Sequence, residues 1–467
     1  MSSGSSICTL ELQPIAVPAQ AATIRGSQPI LGNSLNQTSD QDDVDRVLGE
    51  LGGSDNDPEP RAERAQRWNE SKLTMYKVFS SCFCFFVTGA NDAAYGPLIP
   101  YLMRYYSISH TIVSLVFLSP FIGYVASALL NNHLHLKFGQ RGIAILCSSA
   151  HLTAYTIIAC HPPYPVLIFA FILAGFGNGT ADAAWNAWVG NFARSSEVLG
   201  FLHACYGVGG VVAPLVASAM IAKVGLPWFN YYYFMIGIAV VEGLMMISAF
   251  WKSTGATYRQ QYRINELEKE TALWDALTRL PTARVAWTCA VFLLGYVGIE
   301  VALGGWIVLF MIDVRDGDEF SSGMSAMGFW LGITVGRVVL GFVTARVGIK
   351  LATSVYIAAT TALQLVLWLV PQFYVSAIAV AFQGFFLGPL FPSVVLFASK
   401  ILPRHQHVVV IGFASAFGGC GAAILPFVTG LLANAKGVQV LQPIILALLV
   451  TILAIWLCLP RLNKKRE

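Results

Sequence analysis

Apolar segments of roughly 20 residues recur along this chain, and short turns with charges or proline separate them. A helix rises 1.5 Å per residue, so roughly 20 residues cross a hydrocarbon core about 30 Å thick. Of the 467 residues, 56% are hydrophobic and only 12% are charged. A soluble domain cannot bury that much apolar surface, because its outer layer must be polar. The pattern therefore predicts a membrane protein built from transmembrane helices.

Segment length and helix-breaking residues predict twelve spans in two sets of six. The first set covers residues 75–103, 109–131, 143–161, 165–190, 197–223 and 229–250. The second set covers residues 285–311, 322–344, 351–370, 373–398, 407–434 and 440–459. We therefore expect an all-α membrane protein with an N-terminal six-helix bundle at 75–250 and a C-terminal six-helix bundle at 285–459.

The segments outside the two bundles are polar. Residues 1–70 are rich in Ser, Gln, Gly, Asp and Pro, and have too few apolar groups to offset chain entropy, which predicts a disordered cytosolic tail. Residues 251–284 carry mixed charges at helical spacing, which predicts a cytosolic linker with an amphipathic helix. Residues 460–467 form a basic tail that we also place in the cytosol.

The positions of Lys and Arg predict the orientation of the chain. Most basic residues fall in one set of loops, between spans two and three of each half, in the linker and in the C-terminal tail. The opposite side carries only Arg104, Lys223, Arg315 and Lys436. By the positive-inside rule, both termini lie in the cytosol. We expect a multi-pass protein of the plasma membrane, with the vacuolar membrane as the alternative.

The two sets of spans repeat at a nearly constant offset. Asp92 and Glu300 lie 208 residues apart, and each falls inside an apolar span. The loop motif of residues 137–141, KFGQR, is matched 209 residues later by RVGIK at residues 346–350. An intramembrane acid and a basic-x-Gly-x-basic loop rarely coincide by chance. Duplication of one half therefore explains the pattern and predicts pseudo-symmetric bundles.

Two six-helix halves with this loop between the second and third helix of each resemble the major facilitator superfamily. The segments GANDAAYGP at 89–97, GFGNG at 175–179 and GIE at 298–300 resemble its fucose permease-like branch, and fungal membrane proteins of the "bypass of stop codon" type are similar. The family loop has an Asp before the first basic residue, where Leu136 and Ala345 stand here.

The resemblance implies the major facilitator fold, with a solute site at the middle of the membrane between the halves. The branch implies sugar:proton symport, with acids in helices 1 and 4 that match Asp92 and Asp182 by position. The repeated loops would act as gating loops through Lys137, Gly139, Arg141, Arg346, Gly348 and Lys350.

Five ionisable side chains lie deep in predicted spans: Asp92, Asp182, Glu242, Glu300 and Arg337. A charge at the bilayer centre costs about 2.5 to 3.5 kcal/mol, so such residues are functional candidates. Desolvation disfavours an ionised carboxylate, which allows a cavity acid to bind a proton. We expect Asp92, Asp182 and Glu300 to carry proton coupling. Alternatively, the acids only hydrogen-bond to backbone or Asn in a broken helix.

Glu300 and Arg337 fall on neighbouring predicted helices and could form an ion pair, because a lone buried charge is costly. Whether such a pair changes during transport or is static stays open, and Arg337 could instead bind a substrate carboxylate. Glu242 falls on helix 6, which usually faces away from the cavity in this fold, so we assign it to packing or polar bridging.

Aromatic and amide side chains surround the predicted acids and suit hydroxylated solutes, whose C–H faces stack on rings while their hydroxyls need partners. The candidate cavity residues are Asn91, Tyr95, Trp185, Asn186, His203, Tyr206, Trp306 and Gln383. Ordinary packing would explain much of this pattern as well, and a hydrogen-bonded interior histidine is the alternative for His203.

Other functional classes lack their signatures. The net charge is only +4, which gives nucleic acid no basic patch, and the nine cysteines include no zinc-binding spacing. We find no nucleophile elbow or phosphate loop, and expect no enzyme, metal or cofactor. The sequence favours a monomeric, proton-coupled transporter that binds a small sugar-like solute and protons in the lipid bilayer. Alternatives are a proton-driven efflux pump for a secondary metabolite and a non-transporting membrane sensor.

Overall fold

The structure is a computed structural model that describes residues 67–193, 195–261, 277–280, 282–402 and 404–459. Nearly all of the predicted N-terminal tail, the middle of the predicted linker helix and the basic C-terminal tail lie outside these residues. Within the described residues, every regular element is helical, as predicted.

Twelve helices are long and apolar enough to cross a membrane. They are α1 Lys72–Ala93, α2 His110–Asn131, α3 His133–Ala159, α4 Tyr164–Gly190, α5 Glu197–Lys223, α6 Asn230–Phe250, α7 Thr282–Asp313, α8 Glu319–Val347, α9 Ile349–Leu369, α10 Phe373–Ile401, α11 Val410–Lys436 and α12 Val438–Cys458. The predicted number of spans and their division into two sets of six are confirmed. A short helix, Gly255–Gln261, follows α6.

Helices α1 and α10 each have a break. The chain leaves α1 at Ala94 and continues as a second helical segment, Tyr95–Tyr106, while α10 consists of Phe373–Leu387 and Leu390–Ile401. Pro97 follows the first break and Pro389 lies within the second, and neither can donate a backbone hydrogen bond to the preceding turn. The break in α1 places Asp92 next to a discontinuity, where helix 1 can present its side chain to neighbouring helices.

Helix α3 runs from His133 to Ala159 but is kinked at Gly139, which leaves helical geometry at φ 67°. The predicted third span, which starts at residue 143, begins just after this kink. Gly348, at the matching place of the second half, also has a positive φ, 95°. Side chains rarely adopt this backbone region, which explains glycine in both loops. The flanking residues Lys137 and Arg346 are exposed.

Close backbone contacts show the symmetry of the two bundles. In the first, Gly209 of α5 lies against the carbonyl of Phe86 on α1, and in the second, Gly421 of α11 lies against the carbonyl of Leu294 on α7. The two carbonyl residues are 208 positions apart, as the repeat predicts. Small residues allow this approach between membrane helices. The fold is that of two pseudo-symmetric six-helix bundles.

The two bundles meet along α1, α2, α5, α7, α8 and α11. Gly96, after the break in helix 1, lies so close to α7 that an added Cβ would be 2.3 Å from the carbonyl oxygen of Gly304. Tyr206 of α5 lies edge-on to Trp330 of α8, with ring centroids 6.5 Å apart. Helices from both halves are therefore in direct contact at the middle of the molecule.

One end of the molecule, which contains the turn at Ser107 and is called here the Ser107 end, is held together by polar contacts between the halves. Arg104 pairs with Glu319 of α8 at 2.5 Å, and the Tyr101 hydroxyl donates to the same carboxylate at 2.8 Å. The ammonium of Lys223 lies 4.5 Å from the ring centre of Phe320. These contacts tie the halves together at this end.

Candidate functional site

Asp92 is the centre of a hydrogen-bond cluster in the N-terminal bundle. Its Oδ1 accepts from the side-chain amides of Asn91 at 3.0 Å and Asn178 at 2.9 Å, and its Oδ2 accepts from the Tyr206 hydroxyl at 3.1 Å. The three donors come from α1, α4 and α5. An ionised carboxylate only accepts hydrogen bonds, so this arrangement matches an ionised Asp92. A proton on Oδ1, which already accepts two hydrogen bonds, would force one of the two amides to give way.

The second predicted acid, Asp182, lies on α4 near Asp92. Its Oδ1 accepts from the Asn186 amide at 2.7 Å, one helical turn further along, and its side chain is exposed. Asp182 and Asp92 are close enough to interact electrostatically, and Tyr124 of α2 interacts with both. The structure therefore brings the acids of helices 1 and 4 to one region.

The third predicted acid, Glu300, forms an ion pair in the C-terminal bundle. The Arg337 guanidinium of α8 donates to Glu300 of α7 at 3.2 Å and to the carbonyl of Gly388 at 3.3 Å. Only 7% of the Glu300 side chain and 19% of the Arg337 side chain are exposed. The pair therefore lies inside the C-terminal bundle, next to the break in α10.

Tyr206 connects these two groups. It donates to Asp92 and interacts electrostatically with both Glu300 and Arg337 across the boundary between the halves. His203, three residues earlier on the same helix, is also within electrostatic range of Arg337. Asp92 of one bundle and the ion pair of the other are therefore connected through Tyr206 at the boundary between the halves.

The two tryptophans that were predicted to line the cavity are fully buried between helices. Trp185 is fully buried and stacks on Phe250 of α6, with ring centroids 4.5 Å apart. Trp306 is also fully buried, and its indole N–H donates to the carbonyl of Pro426 at 3.0 Å. Sequence alone cannot tell which face of an apolar helix turns toward the cavity, and both rings pack between helices here.

Of the predicted cavity amides, Asn91 lies at the Asp92 site and Gln383 does not. Asn91 remains at the site and also donates to the Tyr95 hydroxyl at 2.9 Å. Gln383, in contrast, is fully buried and donates to Gln364 of α9 at 2.7 Å, which in turn donates to Gln442 of α12 at 2.6 Å. This row of glutamines connects helices within the C-terminal bundle, so the structure does not place Gln383 beside Asp92.

The predicted gating loops make their contacts within their own halves. Arg141 donates to the Trp251 carbonyl at 3.5 Å and lies over that indole ring at 5.2 Å. Lys350 donates to the carbonyls of Trp456 and of Leu459, the latter at 2.8 Å, and lies over the Trp456 ring at 5.2 Å. In each half, a basic residue thus caps the C-terminal end of the sixth helix, where cations are favoured.

A buried ion pair next to Asp92 was missed from the sequence. His151 of α3 lies 3.0 Å from Glu242 of α6, and neither side chain is exposed. The other ring nitrogen of His151 lies 2.9 Å from Oδ1 of Asn178, the same amide that donates to Asp92. The prediction of polar bridging for Glu242 overlooked His151. The sequence does contain a signal for this pair, because His151 and Glu242 are both ionisable residues in apolar spans and a buried charge needs a partner.

Comparisons with known proteins agree with this architecture. The sequence profile of the Major Facilitator Superfamily matches residues 81–371 and 317–467. Bypass of stop codon protein 6 of Saccharomyces cerevisiae is 28% identical over 422 residues, which cover 85% of this chain and 84% of the yeast protein. The glucose/mannose transporter GlcP of Bacillus subtilis is 25% identical over 366 residues, which cover 74% of this chain and 85% of GlcP.

A solved structure shares the fold. The crystal structure of the E. coli fucose:proton symporter FucP superposes with a TM-score of 0.58 at 13% sequence identity. The superposition covers 81% of this chain and 97% of FucP. At this level of identity, the likeness concerns the arrangement of helices.

Proposed function

The chain belongs to the major facilitator superfamily of membrane transporters, and from that premise we propose that it couples the movement of protons to that of a small, sugar-like solute. The observation that carries the proposal is the hydrogen bond from Tyr206 to Asp92 at the boundary with the Glu300–Arg337 pair. An acid that can bind a proton thereby lies beside groups of the opposite half.

Asp92 is the proton carrier in this proposal. All three partners donate to Asp92, so a proton on this carboxyl removes the negative charge that strengthens these hydrogen bonds, including the one from Tyr206. Tyr206 also packs against Trp330 of the other half. Proton binding would therefore alter a contact between the halves, which is what coupling to alternating access requires.

The Ser107 end supplies the gate. Positive-inside orientation places this end outside the cell and the Gly139 loops in the cytosol. The pairing of Arg104 with Glu319 then closes the transporter toward the outside. Opening to the outside requires this contact to break, and closing restores it after the solute has entered.

The solute class follows from the groups around the acids. Asp182, Asn186, Tyr206 and His203 offer hydrogen-bond donors, acceptors and ring faces near the boundary of the halves, a combination that suits hydroxylated molecules. GlcP, a relative of this chain, is named as a glucose/mannose transporter, and FucP, which shares the fold, as a fucose:proton symporter. We place the protein in the plasma membrane as a monomeric importer.

The test is uptake by purified protein in liposomes with an imposed pH gradient, acidic outside. We expect at least one labelled hexose, deoxyhexose or polyol to accumulate, and a protonophore to abolish the accumulation. Liposomes without protein and liposomes without a gradient are the controls. Uptake that is identical with and without the gradient, or solute binding with no flux, would contradict proton-coupled transport.

A further inference from the structure

The buried pair of His151 and Glu242 is joined to Asp92 by a single side chain. The amide of Asn178 donates to Asp92 at 2.9 Å, and its oxygen lies 2.9 Å from Nε2 of His151. The neighbouring Gly177 keeps the helices close, since a Cβ there would lie 2.7 Å from that same nitrogen. Four polar groups from α1, α4, α3 and α6 therefore form one continuous row.

With Asp92 ionised, the contacts in this row define one arrangement of protons. Because an ionised Asp92 only accepts, the amide nitrogen of Asn178 faces it and the amide oxygen faces His151, which must donate from Nε2. Nδ1 of His151 lies 3.0 and 3.2 Å from the two carboxylate oxygens of Glu242, so a proton on Nδ1 is shared between them. When Glu242 is ionised, both ring nitrogens of His151 donate, and His151 is then an imidazolium.

A proton on Asp92 would reverse this arrangement. A proton on Oδ1 of Asp92, the oxygen that contacts Asn178, donates to the amide oxygen, which requires the amide to turn by half a rotation. Its nitrogen then faces Nε2 of His151 and can donate there only if Nε2 has lost its proton. The proton that Nε2 of His151 loses is the one that Asp92 gains, so the row keeps the same number of protons, and His151 keeps the one on Nδ1. One amide cannot satisfy a proton at both places.

We propose that His151 and Glu242 form a second proton-binding site, which competes with Asp92 through the orientation of Asn178. This proposal rests on the proposed function in that Asp92 is the proton carrier for transport. The pair is a positioning site rather than a solute site, because both side chains are fully buried. Its imidazolium holds Asn178 in the orientation that favours the ionised form of Asp92.

The other titratable groups against the pair are two thiols and a phenol. The Cys147 sulfur lies 3.8 Å from Glu242 and 4.0 Å from His151, and the Cys84 sulfur lies 3.9 Å from that of Cys147. The ring of Tyr155 stacks on His151 with centroids 5.7 Å apart. Thiols and phenols are ordinarily neutral at physiological pH. The countercharge that retains the imidazolium is therefore Glu242.

The protonation of His151 can be measured without transport. Protein labelled with ¹⁵N-histidine in lipid bilayers is studied by solid-state NMR, and the His151 signals are those missing in His151→Gln. We expect both ring nitrogens to be protonated near neutral pH in the wild type and only one in Glu242→Gln. A singly protonated His151 in the wild type between about pH 5 and 8 would overturn the second site. This outcome does not depend on the transport proposal.

The coupling to Asp92 is tested by the pH dependence of uptake. Glu242→Gln keeps a polar partner for His151 but frees Asn178 to turn, so the uptake profile should move to more alkaline pH by roughly one unit, the equivalent of one hydrogen bond to a charged group. Ser127→Ala is the matched control, since it removes a buried 3.0 Å bond to Thr180 in the same bundle and should not move the profile.

Three results of the uptake experiment have distinct meanings. An unmoved profile in Glu242→Gln would overturn the coupling, and an equal shift in Ser127→Ala would overturn it as well, because the effect would then be a general response to a buried lesion. If the wild type shows no proton-driven uptake at all, the proposed function fails, while the NMR result still decides whether the second site exists.

Discussion

Replacing Arg337 with Met leaves the carboxylate of Glu300 without its countercharge. The atoms are 3.2 Å apart, which corresponds to about 5 kcal/mol of attraction at an effective dielectric constant of about 20. Desolvation offsets part of that energy, and removing one member of a buried pair costs about 3 to 5 kcal/mol in practice. Only 7% of the Glu300 side chain and 19% of the Arg337 side chain are exposed, so the energies of buried ion pairs apply here.

The double variant Glu300→Gln with Arg337→Met removes both charges and should recover most of the loss. We expect each single variant to lower the free energy of unfolding by about 3 kcal/mol or more, and the double variant by about 1 kcal/mol. Reversible unfolding in mixed micelles, followed by tryptophan fluorescence, gives these free energies for the four proteins. Single losses below about 1 kcal/mol that add up in the double variant would refute the pairing argument.

The same four proteins separate a static pair from one that works in transport. If the pair changes between states, the double variant folds but loses proton-driven uptake. Full uptake in a stable double variant would show that the charges serve folding alone.

Three further predictions follow from individual contacts. Gly139→Ala should destabilise the protein by about 1 to 3 kcal/mol, because φ there is 67° and an added Cβ would lie 2.3 Å from Thr254. The control, Gly237→Ala, has open space around it and should not destabilise the protein. Equal thermal midpoints for the two variants would contradict this prediction. Glu319→Gln should raise the ratio of molecules open to closed at the Ser107 end by up to about fivefold, since an exposed ion pair contributes up to about 1 kcal/mol. Unchanged distances between spin labels across that end would count against the gate. Trp185→Phe should leave the solute KM unchanged, since the ring packs on α6, and a large rise would return Trp185 to the cavity.

The number and type of the helices were predictable because bilayer thickness fixes how long an apolar helix must be. Span 197–223 was predicted at the observed bounds of α5, Glu197–Lys223. The repeat also predicted the symmetric glycines of the loops, which have positive φ in both halves. The helical residues of α3 before Gly139 were not predicted, because hydropathy does not show that polar residues can continue a helix beyond the hydrocarbon region.

The site was only partly predictable. Asp92, Glu300 and Arg337 stood out because a charge in an apolar span has few ordinary explanations. The sequence does not show in which direction a neutral side chain points. Trp185 and Gln383 were therefore predicted to line the cavity, although both are fully buried in packed contacts. The partnership of His151 with Glu242 depends on how α3 and α6 approach each other, which spacing along the chain does not give.

The central claim, that a proton on Asp92 drives transport, is tested most directly by the variant Asp92→Asn in liposomes. The amide can no longer be ionised, so accumulation driven by a pH gradient should fall to the level of empty liposomes. Exchange of labelled for unlabelled solute at equal concentrations should persist, because it needs no net proton movement. Accumulation at the wild-type level in this variant would contradict the account.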